Sequence, residues 1–161
     1  MCSITGLGST CEAQNSPVVK VHAYQRDVVG GIPGGPPGVG APARQPRYFI
    51  YLETPPNDTV VVEGVWMGGK LYSVETAVKK APIRFESPVT LAQAERNIAV
   101  PATDNMVTEI VVKDLVPGKT PDSNVSKALG QNQAAVQLSY RGKPILLPVN
   151  KFEKRDPLYL P

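Results

Sequence analysis

Arg47-Tyr-Phe-Ile-Tyr-Leu-Glu-Thr54, Thr59-Val-Val-Val-Glu-Gly-Val-Trp66 and Lys70-Leu-Tyr-Ser-Val-Glu-Thr76 follow one another with only Pro55-Pro-Asn-Asp58 and Met67-Gly-Gly69 between them. All three runs are rich in β-branched and aromatic residues, which fit a pleated, half-buried surface better than a helix. The first is apolar on both faces and reads as a central strand covered on each side. Between the first two, Pro fixes φ while Asn and Asp hydrogen-bond locally, so the chain turns. Between the second and third, Gly68-Gly69 predicts a hairpin.

Upstream, Val18-Val-Lys-Val-His-Ala-Tyr-Gln25 alternates, with Val19, Val21 and Ala23 on one face and Val18, Lys20, His22 and Tyr24 on the other. Further strands are predicted at Ile83 to Glu86, Met106 to Leu115, Ala135 to Tyr140 and Ile145 to Phe152, with Arg141-Gly-Lys143 making the last two a second hairpin. Two segments carry helical spacing: Thr90 to Ile98, with Leu91, Ala94 and Ile98 apolar, and Ser123 to Gly130, with Gly130 as the stop. Short strands at this spacing predict an all-β fold, specifically an antiparallel Ig-like β-sandwich of about seven or eight strands. Val outnumbers Leu about two to one, and Gly and Pro make up about a fifth of the 161 residues, in keeping with strands and turns. One domain over 14–161 accommodates this length.

Residues 1–13, Met-Cys-Ser-Ile-Thr-Gly-Leu-Gly-Ser-Thr-Cys-Glu-Ala, differ from the rest of the chain: small, weakly apolar and without a basic residue. They resemble the downstream half of a signal peptide with Cys11-Glu12-Ala13 as the small-x-small cleavage site, although the basic n-region is missing. On this reading the protein is exported to the periplasm, outer membrane or cell surface, and cleavage removes both cysteines, Cys2 and Cys11. Asn57-Asp-Thr59 and Asn124-Val-Ser126 match the Asn-x-Ser/Thr acceptor pattern, and Asp58-Thr59-Val60 resembles a short envelope O-glycosylation motif.

Gly30 to Pro46 (Gly-Gly-Ile-Pro-Gly-Gly-Pro-Pro-Gly-Val-Gly-Ala-Pro-Ala-Arg-Gln-Pro) is predicted to be a long loop unable to join a ladder. Loops of this length inside a domain often serve binding. The terminal Asp156-Pro-Leu-Tyr-Leu-Pro161 carries apolar side chains that make better sense docked than free. The sequence therefore assigns partner contact to Ile32, Pro36, Pro37 and Val39 in the loop and to Leu158, Tyr159 and Leu160 in the tail.

Signals for chemistry are sparse. His22 is the single histidine, and no Gly-x-Ser-x-Gly elbow accompanies it. No phosphate loop, calcium loop or metal-ligand spacing is present, so neither cofactor nor metal is expected. The 17 Lys and Arg are scattered and the formal net charge is +3, which argues against a nucleic-acid partner. No apolar run is long enough to be a transmembrane helix. A glycosidase would need two of Glu53, Glu63, Glu75, Glu86 and Glu109 facing each other across a cleft, whereas solvent-facing strand glutamates arise from simple alternation.

Tyr48, Tyr51, Trp66 and Tyr72 are read first as core side chains, and alternatively as a platform on which sugar rings stack. The sequence thus predicts a non-catalytic accessory or structural protein of the bacterial cell envelope that binds a protein partner. A carbohydrate-binding module is the alternative, and a β-fold hydrolase the third reading.

Overall fold

The computed structural model describes residues 16–30, 43–85 and 97–160. Its strands are β1 (Lys20–Gly30), β2 (Ala43–Thr54), β3 (Val61–Met67), β4 (Lys70–Lys80), β5 (Ile83–Arg84), β6 (Ile98–Val100), β7 (Met106–Leu115), β8 (Ala134–Tyr140), β9 (Lys143–Val149), β10 (Glu153–Lys154) and β11 (Leu158–Leu160). A short helix, α1 (Ser123–Leu129), precedes β8. The protein is therefore all-β in character.

The pairing departs from the two antiparallel sheets of an Ig-like sandwich. Among the described residues, nine strands join one sheet in the order β10-β1-β2-β7-β4-β3-β8-β9, with β11 also beside β1, and β5 and β6 form a separate ribbon. The sheet is mixed, because β10 and β11 run parallel to β1 while the other pairs are antiparallel. It curls on itself: Ile50 and Leu52 of β2, Val65 of β3, Ile110 of β7, Val136 and Leu138 of β8, and Ile145 of β9 share one buried core with Phe152. After β9 the chain crosses through residues 150–152 to reach β1 as β10, and so spans the gap between the two ends of the sheet.

β2 occupies the central position expected of it. Tyr48, Ile50 and Leu52 face the inside of the curl, whereas Tyr51 points outward with Tyr24 of β1 into a second core. The β5–β6 ribbon supplies the cover there through Ile83, Phe85, Ala99 and Val100. A third cluster lies under α1, where Val125 packs on Trp66 and Ala135. Asp122 caps the helix by accepting a hydrogen bond from the Val125 N–H at 2.8 Å, and Gly130 follows its last residue.

Both predicted hairpins are present. Gly68 and Gly69 have φ of +57° and +77°, and Arg141 and Gly142 have +51° and +76°, the paired positive values of a type I′ turn. Gly64 has a different reason to be glycine: a Cβ there would lie 2.8 Å from Leu71 Cδ1 and 3.0 Å from the Tyr72 carbonyl oxygen.

Three local expectations change. β1 continues past Gln25 to Gly30, and residues 43–46 of the Gly/Pro stretch join its ladder, with Pro46 opposite Asp27. β2 has β7 as its second neighbour only from Phe49 to Thr54, so Pro46 sits at an edge position where its missing N–H is tolerated. Ile98 begins β6 rather than ending a helix, while residues 90–96 of that predicted helix lie outside the described residues. The strand predicted through Phe152 stops at Val149, and Phe152 turns into the core.

Candidate functional site

Where the β1–β2 hairpin runs beyond β7, the curled sheet opens into a cleft of about 580 Å³. Gln25 of β1, Pro46 and Tyr48 of β2, Met67 and Gly68 at the β3–β4 turn, and Tyr72 of β4 line it. Val112 and Lys113 of β7, with Gln133 and Phe152, complete the wall. A further hollow of about 560 Å³ shares Gln25, Gln133 and Phe152 and continues along Lys151, Glu153 and Lys154.

Alternation places these side chains. Gln25 and Tyr48 are register partners, and each lies two residues from the inward-facing Ala23 and Ile50, so both point inside. Tyr48 packs edge-on against Phe152, with ring centroids 4.9 Å apart. Gln133 holds that aromatic in place: its side-chain oxygen accepts a hydrogen bond from the Phe152 N–H at 2.8 Å, and its own backbone N–H donates to the Asn150 carbonyl at 3.1 Å. Lys113 pairs with Glu75 at 3.1 Å. The cleft therefore offers aromatic faces, a thioether and two amides, while the Lys113 amine is drawn to Glu75 on the outer face, and the lining suits an extended ligand with both apolar and hydrogen-bonding groups.

The predicted aromatic set is divided by this geometry. Tyr48 and Tyr72 are half-buried on the inner face and line the cleft. Tyr51 and Trp66, at 2% and 5% exposure, are buried on the outer face beneath the ribbon and beneath α1. The Trp66 indole N–H donates to Gln137 Oε1 at 2.9 Å, and Gln137 donates in turn to Glu63 at 2.8 Å. The four rings thus form no common surface.

The C-terminal strand meets the described ends of the β1–β2 pair at one place. β11, holding Leu158, Tyr159 and Leu160, runs parallel to Val28–Gly30, and Gly30 pairs with both Leu160 and Ala43. β11, β1 and β2 therefore form a three-stranded arm. Ile32, Pro36, Pro37 and Val39 themselves lie outside the described residues, as does the segment 1–13 with Cys2 and Cys11.

The outer side of the arm's root is bound by cation–aromatic packing. Buried Arg26 lies over the Phe85 ring with its guanidinium carbon 4.8 Å from the centroid, and its Nε donates to the Asp156 carbonyl at 3.0 Å. Arg155 lies over Tyr24 at 4.9 Å, and Tyr24 donates its hydroxyl proton to the Ala99 carbonyl. Burial pushes the Tyr24 phenol above its ordinary pKa, against the lowering effect of Arg155. These contacts fix the C-terminal segment to β1 and to the ribbon.

The titratable groups singled out by sequence are distributed over the sheet. His22 Nε2 lies 2.5 Å from Glu53 Oε2, both side chains being nearly buried, and Asn105 donates to Glu53 Oε1 at 3.2 Å. Burial raises the Glu53 carboxyl, but hydrogen bonds from His22, Asn105 and Thr103 outweigh it and hold the group below the ordinary carboxylate value. Glu63 and Glu75 are exposed, Glu109 pairs with Lys79 at 3.2 Å, and Glu86 lies outside the described residues. Among the described residues no three His, Cys, Asp or Glu gather where they could hold a metal ion. No described helix is long and apolar enough to cross a membrane.

Sequence reasoning missed Gln25, Met67, Val112, Lys113 and Gln133. They come from separate strands and turns, and only the curl of the sheet brings them together. No protein-family description, curated protein or solved structure matches the chain.

Proposed function

We propose that this is a non-catalytic, exported binding protein of the bacterial cell envelope, receiving a protein partner at the arm and the adjoining cleft. One observation carries the reading: the strand ends that flank the Gly/Pro stretch and the C-terminal strand β11 meet at one end of β1, where Gly30 pairs with both Ala43 and Leu160, beside the aromatic-lined cleft. An extended partner segment lying along the arm would bring its apolar side chains to Tyr48, Tyr72 and Phe152 and its amides to Gln25. The test is cross-linked co-purification from the native host, comparing the native chain with a Tyr48→Ser/Tyr72→Ser variant. Stoichiometric recovery of one envelope protein, lost in the variant, is expected. Recovery of the chain alone, or equal recovery with both chains, overturns the proposal.

A second reading, glycan binding, is favoured by the combination of Tyr48 and Tyr72 with the amide of Gln25 in one cleft. Rings that stack sugars and side chains that hydrogen-bond hydroxyls are what such a site needs. Binding on a glycan array that is lost in Tyr72→Ala, with native circular dichroism retained, would establish this reading in place of the first.

A further inference from the structure

Independently of the cleft, β4 presents a strand edge that no described residue pairs. Its ladder with β3 ends at Tyr72, while its ladder with β7 continues to Lys80. Residues 75–80 are exposed on both faces of the strand, including Val78 at 65%. Exposed long edges of this kind are templates for pairing with another chain.

The direction of each backbone group is set by the turn. A two-residue type I′ turn makes the flanking Met67 and Lys70 a hydrogen-bonded pair, so Lys70 and Tyr72 direct their N–H and C=O toward β3. Leu71 therefore faces β7, and its carbonyl accepts from the Val116 N–H at 2.8 Å. Between Tyr72↔Leu115 and Val74↔Val112 the extra residue lies in β7, which leaves the alternation along β4 unbroken. Glu75, Ala77 and Lys79 thus bond to β7, while Val74, Thr76, Val78 and Lys80 aim their backbone groups at the open edge. None of these four is proline.

The edges at β9, β10 and β11 are blunted. Arg141-Gly142 fixes Tyr140 and Lys143 as a hydrogen-bonded pair, so counting by twos puts Pro144 and Pro148 with their donorless nitrogens on the free side of β9. β10 and β11 are only two and three residues long.

We propose that the β4 edge pairs antiparallel with β4 of a second copy of this chain, about a two-fold axis at Ala77. The charge pattern is self-complementary in that register. Glu75 falls opposite the second copy's Lys79, and Lys79 opposite its Glu75. Within each copy Glu75 already pairs with Lys113 at 3.1 Å and Lys79 with Glu109 at 3.2 Å. Each row across the joined sheets therefore alternates in sign, Lys113, Glu75, Lys79, Glu109, with no like charges adjacent. The register also sets Thr76 opposite Val78 as hydrogen-bonded pairs and covers the exposed Val78 side chain. A closed two-fold contact requires this self-complementarity.

The test is sedimentation equilibrium of the full chain over about 1 to 500 μM, with three variants checked for native circular dichroism. Glu75→Lys sets Lys against Lys in the homodimer, and Lys79→Glu sets Glu against Glu. Each is expected to weaken self-association about tenfold or more. An equimolar mixture of the two restores it, because the new lysine of one variant then meets the new glutamate of the other. Val78→Pro removes an N–H that β7 does not use, and should give a folded monomer. A native chain that stays monomeric, variants that associate as the native does, or reversals that fail to rescue each other would each overturn the proposal.

Discussion

Replacing Trp66 with Ala should largely dissolve the α1 side of the molecule. The indole is 5% exposed and packs against Val125 and Ala135, with Leu71, Ala128, Leu129 and Leu146 around it. Removing a buried Trp side chain costs about 3–5 kcal/mol when the surroundings collapse only partly. Collapse is limited here because the floor is sheet backbone. The lost N–H bond to Gln137 adds about 1 kcal/mol at most, since Gln137 is half-buried and keeps its bond to Glu63. α1 is seven residues long, and its one buried side chain, Val125, rests on this ring, so without that contact the helix has little to hold it. The expected loss is about 4 kcal/mol, a large part of the stability of about 5–15 kcal/mol typical of a domain. Urea unfolding followed by far-ultraviolet circular dichroism measures it, because the substitution removes the single tryptophan. Tyr72→Ala, half-buried at the cleft, should cost only about 1–2 kcal/mol. A Trp66→Ala stability within about 1 kcal/mol of native, or a Tyr72→Ala loss as large as that at Trp66, would refute the division of the aromatics into core and cleft.

Other outcomes rest on single contacts. Gly64→Ala should destabilise by about 1–3 kcal/mol, because the new methyl meets the Tyr72 carbonyl as well as the movable Leu71 tip; unchanged thermal unfolding would contradict the close approach. The Glu53 carboxyl is held below its unfolded value of 4.5, so its stabilisation is full above that pH and is lost as pH falls through the lower folded value. The urea midpoint should therefore drop on acidification below about pH 4.5, with a shallower drop in Glu53→Gln, and parallel pH profiles for the two would count against the assignment. Asp122→Ala removes the cap of α1 and should cost about 1 kcal/mol, read as a lower urea midpoint, whereas Asp122→Asn should recover most of it.

The longer strands and both hairpins were legible because local chemistry dictates them, whereas β6, β10 and β11 were not. Gly68-Gly69 and Arg141-Gly142 suit type I′ turns, and Arg47–Thr54 is apolar on both faces because a core lies on one side of β2 and a ribbon on the other. The curl was not legible. Nothing in the period-two pattern distinguishes two packed sheets from one sheet that closes on itself, since inward residues meet inward residues in both cases. The parallel return of β10 and β11 to β1 depends on Arg155 and Asp156 reaching Tyr24, Gln25 and Arg26, contacts some 130 residues apart in sequence. The cleft inherits the same difficulty: Gln25, Tyr48, Tyr72 and Phe152 come from different strands or connections, and their meeting is a property of the closure. Parity alone could have separated Tyr48 from Tyr51, which lie three apart on one strand and therefore on opposite faces.

The most direct test of the binding face is site-specific photo-cross-linking in the native host, with the reactive residue placed in turn at Gln25 in the cleft, Arg44 on the arm, and Ser126 on the exposed side of α1. One and the same envelope protein should be captured from Gln25 and Arg44 and not from Ser126. Capture from Ser126 alone, or equal capture at all three positions, would contradict a binding face at the arm and cleft.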